Sequence, residues 1–175
     1  MLFSSKSPPV AVAFNPDLET SMNTMIITME TVFYAVLAGL LGAGAMWAAM
    51  RLIEKAGPPT GGMVVAVGSL ITRSRANALP TGIMVYFSAA VVFGLLYTLL
   101  MTRLQLTGWP AALFTGAGFG FFHGLVVSLG LVWIVSDNHP LTEFRKATPL
   151  VFLSHFAGHI VFGVVVGLVI AIAPV

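Results

Sequence analysis

Four long apolar runs, at about residues 31–52, 80–102, 111–135 and 149–173, leave this chain few folds to choose from. Each is longer than the about 20 residues that a helix needs to cross the hydrocarbon core of a bilayer. Only 8% of the 175 residues are charged, against about 25% in a soluble domain, so the chain cannot clothe a water-facing surface. The expectation is an all-α integral membrane protein. Residues 30–175 form a four-transmembrane-helix bundle, and residues 1–29 an irregular tail in which Asp17-Leu18-Glu19 can start a short interfacial helix.

The interruptions carry the topology. Glu54-Lys55-Ala56-Gly57-Pro58-Pro59 ends the first run, because Gly and Pro break helices. Residues 63–72 are apolar again, but ten residues at about 1.5 Å each cover roughly half the core. They predict a short interfacial helix after the first span. Arg51, Lys55, Arg73 and Arg75 fall in the first inter-span loop and Arg145 and Lys146 in the third, against Lys6 and Arg103 on the opposite side. Basic residues favour the cytoplasmic side, which places those two loops in the cytoplasm and both termini outside. The formal net charge of +2 reports this topology and gives no reason to expect nucleic acid as a partner.

The chain contains no cysteine, which removes disulfides, thiolate metal sites and a catalytic thiol. There is no Walker-type loop, nucleophile elbow, HExxH, CxxCH or basic run interleaved with aromatics. An enzyme acting in water is therefore not expected, and no catalytic residue is assigned.

Small residues recur at helical spacing. Gly39 and Gly42 lie on two ridges of the first span; Gly116, Gly120 and Gly124 form a double GxxxG ridge on the third; Gly163 and Gly167 form another on the fourth. Bare ridges let helices approach closely in lipid, where packing replaces the hydrophobic effect. They are the expected packing sites, for the bundle itself, for self-association or for other membrane protein subunits.

His155, His159, Gly163 and Gly167 follow one another four apart, and so stack on one helix face. From the helical rise, His155 lies about 9 Å and His159 about 15 Å past Pro149, while His123 lies about 18 Å from Val135. His123 and His159 thus share a depth near mid-membrane, where polar groups face the bundle interior. His139 sits in the polar loop over 136–148.

The ordinary reading is a brace, in which each neutral imidazole makes an interhelical hydrogen bond of about 0.6–2 kcal/mol. The functional readings add a ligand. His155, His159 and His123 are the candidate metal ligands, two of them at the i, i+4 spacing that reaches one ion. His123 and His159 are also the candidate cofactor-binding pair, clamping haem b as in a small b-type cytochrome. A single histidine could ligate a chlorophyll-type pigment. The cofactor itself stays open. A proton or metal path through an oligomer is a further alternative, since histidine titrates near neutrality. No carboxylate lies deep in a span, which disfavours catalytic zinc and di-iron. Met46 and Met50 are four apart; thioether with imidazole suits copper, although methionine in an apolar helix ordinarily fills gaps.

Tyr86-x-x-x-Ala90-x-x-Phe93-Gly94 echoes His155-x-x-x-His159-x-x-Phe162-Gly163, as a duplicated helical hairpin would. The segments Ala38–Met46, Val92–Tyr97, Gly118-Phe-Gly-Phe-Phe-His-Gly124 and His155-Phe-Ala-Gly-His-Ile-Val-Phe-Gly163 resemble small bacterial four-helix membrane proteins of the YagU-like domain-of-unknown-function group. The likeness covers roughly residues 31–172 and implies this fold and a location in the bacterial cytoplasmic (inner) membrane, with no ligand to carry over. The expected function is a small non-enzymatic membrane subunit that packs into a larger assembly through its glycine ridges.

Overall fold

The computed structural model describes residues 16–56, 62–145 and 149–174. These are helical, with no strand among the described residues. In chain order they are α1 (Pro16–Ala56), α2 (Met63–Thr72), α3 (Ala78–Arg103), α4 (Ala111–Gly130) and α5 (Pro149–Ile172). A π-turn (Leu131–Val135) and a last helical turn (Ser136–Asn138) extend α4 to Asn138. Four helices are long and apolar enough to cross a membrane: Thr28–Ile53 within α1, α3, the extended α4 and α5.

The tail expectation needs correcting. Residues 16–29 continue α1 as helix, giving an element of 41 residues, about 60 Å long at 1.5 Å per residue. Pro16 is tolerated in the first turn, and no Gly or Pro follows until Gly39, so nothing stops the helix. Residues 1–15, including Lys6, and Lys146 lie outside the described residues.

Backbone contact through glycine sets the helix pairs. A Cβ on Gly39 would meet the carbonyl of Ala90, and one on Gly94 that of Ala35, so α1 and α3 pack antiparallel. A Cβ on Gly120 would meet the carbonyl of His159, and one on Gly163 that of Gly116, so α4 and α5 do the same. Ala35, Gly39, Ala90 and Gly94 thus stand in one hairpin where Gly116, Gly120, His159 and Gly163 stand in the other. The sequence echo reappears as a shared register of two glycine-packed hairpins, α1–α3 and α4–α5.

Continuing that register explains where the interior opens. Three residues past Gly39 is Gly42; three past Gly120 is His123. On the α1–α5 seam, Phe162 lies over Gly42, with its Cδ2 2.9 Å from where a Cβ would be. On the α3–α4 seam, Phe93 lies over His123 instead, ring centroids 3.9 Å apart. An imidazole in place of a hydrogen props this second seam apart. Helices α3 and α4 consequently meet through side chains, with Tyr97 edge-on to Phe119 (5.2 Å) and to Phe162 (5.7 Å).

Helix α5 is the central member. It packs on both α4 and α1, and 44% of its apolar window is buried within the protein, against 19–33% for the other spans. The interior is built from small residues such as Ala35, Ala38, Ala43, Ala90 and Ala112, while Phe33, Met84, Phe114, Phe122 and Ile172 face outward. That inversion suits lipid, which solvates large apolar side chains and rewards close backbone packing. The Tyr86 hydroxyl donates to the Ala43 carbonyl at 2.7 Å, tying α3 to α1. Tyr86→Phe is expected to lower stability by about 1 kcal/mol, read as the midpoint of thermal unfolding in detergent; an unchanged midpoint would show that the bond contributes nothing net.

The short helix after the first span, α2, is folded back on α3. A Cβ on Gly68 would meet the Ala78 carbonyl and one on Gly82 the Val64 carbonyl. The two helices therefore run antiparallel along the first turns of α3, and Met63 begins α2 well below the end carrying the 73–77 turn. The loop after α4 closes over this hairpin. His139 is fully buried, its Nε2–H donates to the Ala66 carbonyl (3.0 Å), and its Nδ1 accepts from the Leu141 N–H (3.1 Å). Arg145 Nε donates to the His139 carbonyl (2.8 Å), and Arg75 pairs with Glu143 at the surface.

Candidate functional site

The propped α3–α4 seam opens into an apolar cavity of about 180 Å³ walled by all five helices. Its polar edge is formed by His123 and His159, and Met46, Met63, Phe93 and Phe162 contribute to the wall. The two imidazoles come from adjacent helices and lie edge to face, with centroids 4.6 Å apart and planes at 73°.

Each ring is oriented by its other nitrogen. His159 Nδ1 lies 2.8 Å from the His155 carbonyl one turn back; a carbonyl only accepts, so this nitrogen carries the proton. The Nε2 lone pair is then exposed, and it has no hydrogen-bond partner among the described residues. His123 Nδ1 lies 3.1 Å from the Tyr97 hydroxyl, leaving its Nε2 without a partner there too. A histidine that donates one N–H to a carbonyl or similar acceptor and offers the other nitrogen has the outer-shell arrangement usual for metal ligands.

His155 does not join the pair. It shares the α5 face but is absent from the cavity wall. Its Nδ1 donates to the Val151 carbonyl at 2.7 Å, and its buried Nε2 lacks a partner among the described residues. Ser128 Oγ, one turn beyond Gly124 on α4, is likewise buried and has no partner among the described residues. Among the described residues no three His, Cys, Asp or Glu side chains converge as a metal-binding group. The expected triad of His155, His159 and His123 is therefore a pair, because His155 sits one turn away along α5.

The pair does not fit a haem clamp. Axial ligands bind opposite faces of the iron; with metal–nitrogen bonds of about 2 Å on each side, the ring centroids stand more than about 6 Å apart. The 4.6 Å observed leaves no room for a macrocycle between the rings. The cavity volume of about 180 Å³ also falls below the roughly 300 Å³ where pockets for drug-sized ligands begin, which disfavours a pigment on either histidine. Two imidazoles meeting one ion side by side at a tetrahedral angle, by contrast, place their centroids roughly 5 Å apart for the same bond length, so a shift of about half an ångström fits the pair to one ion.

The glycine ridges are consumed inside the chain. Gly39, Gly116, Gly120, Gly163 and Gly167 each face backbone of a neighbouring helix; Gly42 faces Phe162, and Gly124 faces the Cβ of His159. A ridge already in such contact cannot also receive a partner helix, which corrects the expectation that these ridges join the protein to a larger assembly.

Sequence reasoning missed Met63, Phe93 and Tyr97. Phe93 belonged to the echo motif, but its place over His123 depends on the register between two hairpins. Met63 carried no signal beyond opening a short apolar helix. No protein family, curated protein or solved structure matches the chain.

Proposed function

We propose that this is a non-enzymatic, multi-pass protein of a bacterial inner membrane that holds a metal ion at the His123–His159 pair. The observation carrying the reading is the pair itself: two imidazoles 4.6 Å apart at the edge of one cavity, each oriented through Nδ1. His159 Nδ1 is satisfied within α5 by the His155 carbonyl, and His123 Nδ1 across the seam by the Tyr97 hydroxyl. With His123 Nδ1 donating to that hydroxyl, both Nε2 lone pairs are surplus to these bonds and have the character of ligands. The charged loops face the cytoplasm and the termini lie outside, in keeping with the Lys and Arg distribution. Any partner subunit would dock on the lipid-facing side chains, since the glycine ridges are engaged within the chain.

Metal analysis of protein purified from metal-replete cells tests this reading. About one ion per chain is expected, and His159→Ala and His123→Ala should each lose most of it while eluting as folded protein. Metal-free wild type, or variants loaded as fully as wild type, would overturn the proposal.

A further inference from the structure

We infer that the ion is Cu(I), and that the thioether sulfurs of Met46 and Met63 complete its coordination. This rests on the metal-holding reading above and adds the identity of the ion and the remaining ligands.

The donor inventory of the cavity narrows the choice. Besides the two imidazoles, its wall offers the thioethers of Met46 and Met63 and the phenol of Tyr86. The Tyr86 hydroxyl is committed to the Ala43 carbonyl. Among the described residues no carboxylate lines the cavity, and the chain has no thiol. Every available ligand is therefore neutral, and two of the four are soft.

Charge and softness then point the same way. The cost of burying an ion rises with the square of its charge, so an uncompensated divalent ion costs about four times as much as a monovalent one. Neutral ligands in an apolar wall accordingly favour a single positive charge. Thioether and imidazole donors together select Cu(I) among the first-row metals, whereas Zn(II) sites usually add thiolate or carboxylate.

The fold brings these donors together from four different elements. Met46 of α1 is 4% exposed and rests on α5 at Gly158, where its Cγ lies 3.1 Å from the position of a Cβ. Gly158 immediately precedes His159, so the bare backbone there lets the thioether approach the imidazole's own turn. Met63 is the first residue of α2, and the folding back of that helix along α3 carries it to the same cavity. A ten-residue apolar helix that crosses nothing thereby acquires a purpose: it delivers a ligand.

Anaerobic titration of the detergent-purified full chain with Cu(I), in competition with bicinchoninate, tests the assignment. One equivalent should bind, with both nitrogen and sulfur neighbours in the copper X-ray absorption spectrum. Met46→Leu and Met63→Leu conserve volume and should fold, yet each should weaken Cu(I) at least tenfold; His159→Ala should abolish binding. A nitrogen-only shell, with both leucine variants binding as wild type, overturns the thioether ligands and leaves the histidine pair standing. Tighter binding of Zn(II) or Co(II) than of Cu(I) overturns the ion but not the pair. Failure to bind any of these metals overturns both readings.

Discussion

Replacing Gly163 with leucine is expected to destabilise the bundle by about 3 kcal/mol or more, at or beyond the usual cost of overpacking. A Cβ at this position would run into the Gly116 carbonyl and the Gly120 nitrogen. Those atoms are backbone of a packed helix and cannot rotate away as a side chain would. Helices α4 and α5 must separate, which also carries His159 away from His123. In lipid or detergent each helix keeps its own backbone hydrogen bonds, so helicity should survive while the thermal midpoint falls and protease sensitivity rises. Gly118→Leu is the matched control: it lies on α4 too, but a Cβ there meets nothing within 4 Å. Equal effects at the two positions would refute the packing assigned to α4 and α5.

His139→Ala is expected to undock the loop after α4, at a cost of about 3 kcal/mol to its docked state. The side chain is fully buried, joins Leu141 to α2 through both ring nitrogens, and stacks edge-on to Phe144 at 4.9 Å. Its removal leaves a void and the Leu141 N–H short of a partner, while the Ala66 carbonyl keeps the Ser69 hydroxyl. The loop should be cut faster by protease, and the amides of α2 should exchange hydrogen faster. The surface pair Arg75–Glu143 spans the same joint, but its side chains are 65% and 46% exposed. Such pairs contribute about 1 kcal/mol or less, so Arg75→Ala should leave both readouts near wild type. Unchanged protection in His139→Ala would remove the latch.

The elements of this fold were legible wherever a single helix decides the matter. Run length located the four spans, and spacing of four set His155, His159, Gly163 and Gly167 on one face, because both follow from the geometry of one helix. What that face would touch was not legible. Gly163 and Gly167 meet α4, while Gly158 on the same helix meets α1, and the choice between neighbours depends on pairings distant in the chain. The burial of His139 was hidden for a related reason. A histidine among Ser, Asp, Asn and Pro has the composition of a solvated loop, and only α2, seventy residues earlier, makes it a core residue. The candidate site was half visible: depth arithmetic joined His123 to His159, but Met63 and Tyr97 entered through contacts that no local pattern encodes.

The central position of α5 has a consequence for how the protein is made. Synthesis proceeds from the N-terminus, so the helix that touches both α1 and α4 follows the other three spans into the membrane. Until it arrives, α1 and α3 can zip together through Gly39 and Gly94, but Gly116, Gly120 and Gly124 face lipid with nothing to fill them. The early chain is thus a closed hairpin beside an unpaired helix with a bare backbone stripe. Insertion of α5 closes that stripe, seats Phe162 on Gly42 and brings His159 to the cavity in one event. The order of synthesis thus makes α5 the helix that completes the bundle, and a chain interrupted before it would expose to other membrane proteins the surface that the folded one keeps to itself.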